Sequence, residues 1–339
     1  MNLERFQSIT GRYGGLRVAI VGDFCLDRYF EIDPARNELS IETGLTVYNV
    51  INVRCQPGAA GTILNNLVAL GVGEIFPVGF CGDDGEGFEL RRTLQSKRGV
   101  RLEHFVTTTE RRTFTYSKPL VLEPGKPPVE LNRLDIKNWT PTTPNVTRRI
   151  QESLTSLAPS VDAFILMDQV DVAETGVVTT ALRETVGDLV ERQPRLRIVA
   201  DSRRGLGGFP PVTFKMNGAE LARLLGSAQS SDLDHVRAQA AALAARQNRP
   251  VFITMAEQGM IGADPSGQVE HVPAAPVRGP IDIVGAGDSV TANLTAALAA
   301  GASLQEALEL ANAAASIVIH QLGTTGAANV AQIEPLAVG

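Results

Sequence analysis

Apolar and polar positions along the 339-residue chain switch repeatedly between two spacings. Arg17-Val-Ala-Ile-Val21 is a short apolar run ending in Gly22-Asp23, the pattern of a strand buried on both faces. Similar runs follow at Ile75 to Gly79, Ala163 to Met167, Arg197 to Ala200 and Val251 to Thr254. Between them the spacing turns helical. Residues 58–71 read as a helix opened by Gly58-Ala-Ala-Gly61, and Glu86 to Lys97 as a helix with Leu90 and Leu94 at i, i+4. A further helix follows Met167 and runs through about Glu191, and two alanine-rich helices lie near 286–300 and 303–321. Repeated strand-then-helix units predict an α/β fold, a mostly parallel sheet with helices on both faces.

Two stretches break the rhythm. Leu45-Thr-Val-Tyr-Asn-Val-Ile-Asn-Val53 alternates and is rich in β-branched residues, which favours strand. Arg112-Thr-Phe-Thr-Tyr-Ser117, a turn at Pro124-Gly125 and Val129 to Leu134 give a hairpin signal. The two regions, about 28–56 and 105–135, are expected to form a small β lid. It would lie over the carboxyl ends of the main strands, where ligands bind in such sheets. The tail after Gly326 predicts a short helix, and residues 1–339 read as a single domain.

Composition narrows the function. With 44% apolar and 20% charged residues the chain can bury a sizeable core. A net charge of −6 argues against nucleic acid as the main partner. The three cysteines, Cys25, Cys55 and Cys81, are too scattered for a disulfide framework and predict reduced thiols in a cytoplasmic protein. His104, His235, His271 and His320 show no metal-ligand spacing. Leu16 to Val21 is too short for a secretory core, and the apolar helix Val290 to Ala300 is short of the ~20 residues that span a bilayer. No membrane partner is therefore expected.

Four segments carry candidate chemistry. In Asp282-Ile-Val-Gly285-Ala286-Gly287-Asp288, small residues open an apolar helix, whose free amides and dipole favour an anion such as a transferring phosphoryl group. Asp288, in the first turn, is placed to accept a proton from an attacking hydroxyl. A plain capping carboxylate is the alternative, but capping alone does not require Gly285-Ala286-Gly287 to be so small. Asn217-Gly-Ala-Glu220 fits either a capping box or a site facing a metal-bound polyphosphate, with Mg²⁺ held mainly through water. Gly58-Ala59-Ala-Gly-Thr62-Ile-Leu-Asn-Asn66 fits a tight strand-to-helix turn. It also fits a close approach to a polyol, with Thr62 or Asn66 adding hydrogen bonds. Asp23 and Asp27 follow the first strand and suit either turn capping or the hydroxyls of a sugar.

In this order the segments resemble the ribokinase/PfkB family of carbohydrate kinases, over about Arg17 to Gly323. Asp282-Ile-Val-Gly-Ala-Gly-Asp288 is similar to the family's D-T-x-G-A-G-D signature, and Asn217-x-x-Glu220 to its N-x-x-E motif. Gly79-Phe-Cys-Gly82-Asp83-Asp-Gly85 is similar to its G-x-x-G-x-D-x-x-G turn, with Gly85 one position early. Within the family the chain resembles the heptose 7-phosphate kinase domain of ADP-heptose synthesis. Val21-Gly-Asp23-Phe-Cys-Leu-Asp27-Arg-Tyr29 looks like that domain's opening, Glu257-Gln-Gly259-Met260 like its E-Q-G-M turn, and Ala311-Asn312 and Leu322-Gly323-Thr324 like its closing helix. The departures lie at the sugar end. The usual glycine pair reads Gly58-Ala59, the usual following Asn reads Thr62, and Ser40 to Thr46 replaces a proline-rich loop.

The resemblance implies a ribokinase-like three-layer α/β/α domain with a small β-sheet lid, and an ATP-dependent kinase of a sugar or sugar phosphate. It implies Asp288 as general base, with the amides of Gly285, Ala286 and Gly287 around the γ-phosphoryl group. Asn217 and Glu220 would place Mg²⁺, Thr254 to Gly259 (with Glu257) and Asn312 would line the ATP pocket, and Asp282 with Gly323 would lie near a monovalent cation, K⁺. Asp23, Asp27, Gly58, Ala59, Thr62 and Asn66 are expected at the substrate, and Arg133 at a substrate phosphate. A heptose 7-phosphate kinase proper and a nucleoside kinase are alternatives of the same class. A catalytically silent sugar- or nucleotide-binding regulator is the alternative of a different class. Exposed edges and apolar faces in the lid, such as Val47, Val50 and Ile51, predict a homodimer through the lids.

Overall fold

The computed structural model describes residues 1–338. Its strands are β1 (Arg17–Gly22), β2 (Phe24–Ile32), β3 (Glu38–Leu39), β4 (Thr46–Val47), β5 (Val50–Ala59), β6 (Glu74–Gly82), β7 (Phe105–Thr108) and β8 (Thr115–Val121). They continue with β9 (Val129–Glu130), β10 (Leu134–Ile136), β11 (Ala163–Asp168), β12 (Arg197–Ser202), β13 (Thr213–Asn217), β14 (Val251–Thr254), β15 (Met260–Ala263) and β16 (Val269–Val272). The helices are α1 (Leu3–Thr10), α2 (Ala60–Ala69), α3 (Gly85–Gln95), α4 (Pro144–Leu157) and α5 (Thr180–Arg192). After them come α6 (Gly218–Leu225), α7 (Leu233–Gln247), α8 (Ala286–Ala299), α9 (Leu304–Val318) and α10 (Val330–Ala337).

Nine strands form the large sheet in the order β16-β15-β14-β13-β12-β11-β1-β6-β7. From β14 to β7 every pair is parallel, and β15 and β16 add an antiparallel edge. The strands are apolar on both faces because helices cover both. Val18 and Ile20 pack toward α2, α8 and α9, while Ala19 and Val21 pack toward α4, α5 and α7. Each apolar run read from the sequence is a strand of this sheet. The runs left unread are β7, β13, β15 and β16. In β13 the apolar pattern is interrupted by Lys215, which is nonetheless buried.

The small sheet runs β10-β8-β2-β5, with β9 on β8. Only β2 and β8 are parallel within it. Phe105–Thr108, expected in the lid, instead pairs with β6 at the edge of the large sheet. Leu45 to Val53, expected as one strand, is divided between β4 and β5. Gly58 and Ala59, read as the start of a helix, are the last residues of β5. Ala59 turns the chain into α2 with φ 55° and ψ −119°. The helix expected directly after Met167 begins only at Thr180.

The turn after β6 also differs from its sequence reading. Counted from Gly79, the acid of the motif falls on Asp84 and its last glycine on Gly87, two positions beyond Gly85, and Asp84 caps α3 with its Oδ1 accepting from Gly87 N at 2.7 Å. Gly87, not Gly85, is the position without room for a side chain, since a Cβ there would lie 2.1 Å from Gly82 O.

Candidate active site

Both sheets deliver residues to the N-terminus of α8. Gly285 starts that helix in a left-handed conformation, φ 85°, with no side chain capping it. The Ala286 amide donates to Ile283 O at 3.2 Å, whereas Gly287 N has no acceptor among the described residues. Two amide donors of the glycine turn are thus differently placed: one closes the turn and one is available to an anion. Asp288 is the third helical residue. It makes no side-chain hydrogen bond to a described residue, so the capping alternative fails. Burial, with Asp201 nearby, pushes its carboxyl up to about 7 against the opposing pull of Lys215. It is still partly exposed.

Asp27 enters from β2. It is 5% exposed, and Lys118 Nζ of β8 lies 3.5 Å from its Oδ1. Burial raises its pKa and Lys118 opposes the rise. Gly58 leaves room for this carboxylate: a Cβ there would sit 2.6 Å from Asp27 Oδ2. Thr62 of α2 is buried beside Gly285, whose added Cβ would lie 3.5 Å from Thr62 Cγ2 and 3.3 Å from Thr325 Cβ. A bridge joins the small sheet to the loop between α9 and α10, which carries Thr325. Gln56 Nε2 donates to Tyr29 Oη at 3.1 Å and to Thr325 Oγ1 at 3.0 Å, and Lys118 Nζ donates to Tyr29 Oη at 3.3 Å.

On the other side of the glycine turn opens a cleft of about 740 Å³. Asn217, Thr254, Glu257, Gly259, Ala286, Gly287 and Asn312 line it, together with Met255, Val277, Ile281 and Ile283. Val277 and Ile283 are exposed, which gives the cleft an apolar wall without a partner among the described residues. Gly259, at φ 89°, lies where a Cβ would meet Val272 O at 2.0 Å, so it shapes the wall rather than touching a ligand through a side chain.

Several expected residues have structural work. Both oxygens of Asp23 are taken: Oδ1 accepts from Val177 N (2.7 Å), and Oδ2 from Gln169 N (2.8 Å) and Val170 N (3.2 Å). It anchors the 169–177 loop from a fully buried position, and the capping reading holds for it. Asn66 is wholly buried, donating to Thr62 O and Gly326 O, and stands behind the site. Asn217 and Glu220 form the capping box of α6, with Asn217 N donating to Glu220 Oε2 at 2.8 Å. Burial raises the Glu220 pKa, and Glu220 does not line the cleft while Asn217 does. Arg133 donates twice to Asp135, at 2.7 and 2.8 Å, and stacks over Tyr116, so its guanidinium is already engaged. Asp282 accepts from Val284 N at 3.0 Å and Gly323 N at 3.4 Å, which joins the two segments expected near a cation.

The sequence missed Lys118, Asp201, Lys215 and Thr291. Lys215 lies two residues before Asn217, inside β13, a strand that the apolar pattern did not give. Among the described residues no helix is long and apolar enough to cross a membrane.

A family model described as pfkB family carbohydrate kinase matches residues 17–330. The bifunctional protein HldE of Nitrobacter winogradskyi is 29% identical over 320 residues, covering 94% of this chain and 63% of that protein. The protein of the same name from Rhodospirillum rubrum is 31% identical over 327 residues, covering 93% and 61%. The chain thus spans less than two thirds of the length of these relatives. Among solved structures, ribokinase of Arabidopsis thaliana complexed with ribose and ATP aligns with TM-score 0.67 at 17% identity, over 95% of this chain and 98% of that one. Phosphofructokinase-2 of Escherichia coli in complex with potassium aligns with TM-score 0.71 at 19% identity, over 95% and 98%. At these identities the likeness is one of fold, and the fold is ribokinase-like.

Proposed function

The chain belongs to the pfkB family of carbohydrate kinases, and we propose that it transfers the γ-phosphoryl group of ATP to a hydroxyl of a sugar or sugar phosphate. The observation that carries this reading is Asp288. It is an uncapped carboxylate, raised to about 7, one residue beyond an amide without an acceptor, between the nucleotide-sized cleft and Asp27. The sugar hydroxyl gives its proton to Asp288 as its oxygen bonds to the γ-phosphorus, the bridging oxygen–phosphorus bond breaks, and ADP leaves. The Gly287 amide and the α8 dipole stabilise charge developing on the transferring group. The apolar wall of Val277, Ile281 and Ile283 takes the base. Asn217, Thr254 and Asn312 lie along the same cleft.

Asp27 holds the sugar hydroxyls, with Lys118 as a cation beside it. Arg133 serves a substrate phosphate only by sharing its guanidinium with Asp135. A magnesium ion bound with the nucleotide supplies positive charge along the phosphates. Asn217, at the cleft, and Glu220, behind it, are the residues that would hold it through water. Asp282 and Gly323 are the corresponding candidates for a monovalent cation. We also infer a homodimer through the small sheets.

ATP consumption measured over a panel of sugars and sugar phosphates tests the proposal. Turnover of one substrate, lost in Asp288→Asn, is expected. Absence of turnover despite ligand-induced thermal stabilisation would instead identify a silent binding regulator.

A further inference from the structure

A buried ion pair lies beneath the glycine turn. Lys215 projects inward from β13 with only 8% of its side chain exposed, and its Nζ donates to Asp201 Oδ2 of β12 at 2.8 Å. The same oxygen accepts from Thr291 Oγ1 of α8 at 2.8 Å, and that hydroxyl also lies 3.1 Å from Gly287 O. A Cβ added to Gly287 would come within 3.0 Å of Lys215 Nζ. The ammonium group therefore sits directly under the middle of the turn that ends in Asp288. Asp288 and Glu220 are further acids near it.

Stability gives little reason for such a pair. Desolvating two charges is expensive, and well-packed apolar residues in place of a buried pair are often neutral or stabilising. The location gives a better reason. A cation fixed under an anion-binding turn needs no reorganisation when negative charge arrives above it.

We propose that Lys215, held by Asp201 and Thr291, is a positioning residue for phosphoryl transfer. It fixes positive charge beneath Gly287 and keeps the Gly285–Asp288 turn seated on β13. The proposal rests on the phosphoryl-transfer reading above.

Steady-state kinetics with a sugar that the wild-type protein phosphorylates provide the test, on Lys215→Met, Lys215→Arg and the double variant Asp201→Asn/Lys215→Met. Lys215→Met is expected to lower kcat about 10²-fold with little change in the sugar KM, and Lys215→Arg to recover about tenfold of that loss. The double variant, which removes both charges of the pair, is expected to melt at or above the wild-type temperature and to remain as slow as Lys215→Met. If Lys215→Met does not fold, the other two variants decide. A folded double variant with wild-type kcat overturns the proposal and assigns the pair to the core. A rise in sugar KM at constant kcat overturns it too. Either result leaves the kinase reading standing, whereas a wild-type protein that phosphorylates no sugar overturns both.

Discussion

At Asp288 two opposing influences meet on one carboxyl. Burial and Asp201 favour the protonated form, Lys215 the ionised form, and the balance stands at about 7 against an ordinary value of 3.8. A general base works ionised, so kcat/KM is expected to fall about tenfold per pH unit below that value and to level off above it, which a pH–rate profile will show. The stability sign is the reverse of that for a salt-bridged acid. Because the folded pKa lies above the unfolded one, the penalty is fully present above about pH 7 and fades as pH falls toward 3.8. Asp288→Asn should therefore melt higher than wild type at pH 8, with the difference shrinking toward pH 4, while turnover drops about 10²–10⁴-fold. Near-normal turnover in a folded variant removes Asp288 as base. Ala59 makes a second point at this scale. Its φ of 55° with ψ −119° suits glycine, and Ala59→Gly is expected to raise stability by about 1 kcal/mol, the relief of strain less the added chain entropy, read from a denaturant midpoint. The sequence placed Ala59 where glycine is usual, but only the backbone angles reveal the strain.

Elements were legible where burial leaves a periodic trace. The runs at Arg17, Ile75, Ala163, Arg197 and Val251 are apolar on both faces because helices cover both, and each became a strand of the large sheet. β13 was not legible, because Lys215 interrupts its pattern for an electrostatic partner, Asp201, that lies in a different strand. The same limit applies to the site. The glycine turn and its acid are contiguous and could be read, whereas Lys118 and Asp201 reach it only through sheet pairing. Asn217 and Glu220 show a further limit, since a capping box and a phosphate motif are written with the same letters. The two readings separate by experiment. Loss of the cap in Asn217→Ala should cost about 1 kcal/mol without nucleotide. If Asn217 also serves the nucleotide, the rise in melting temperature given by MgATP should shrink as well. An unchanged MgATP response at reduced basal stability leaves Asn217 as a cap alone.

At the scale of the whole molecule the small sheet is the unfinished part. β5 is its edge strand, and residues 50–54 are exposed on both faces, with Val50, Ile51 and Val53 each close to half accessible. The β3–β4 ribbon beside it exposes Leu39, Ile41 and Leu45. A long open edge with apolar faces invites further pairing and is normally blunted by charge, proline or a cover. Here Arg54 is turned back onto Glu31 of the neighbouring strand, and the apolar residues are left free of it. Meanwhile the opposite end of the same strand carries Gln56 and Gly58 into the site, so whatever steadies residues 50–54 also steadies the support of Asp27. Light scattering at micromolar concentration is expected to give the mass of two chains. Ile51→Lys/Val53→Lys places two charges on one face of β5 and should yield a folded monomer. Because β5 would then lose its partner, the sugar KM should rise more than the ATP KM, as the cleft proposed for ATP is built from β13, β14, α8 and α9. A wild-type monomer under these conditions removes the dimer, and equal changes in both KM values remove the link between the edge of the small sheet and the sugar end of the site.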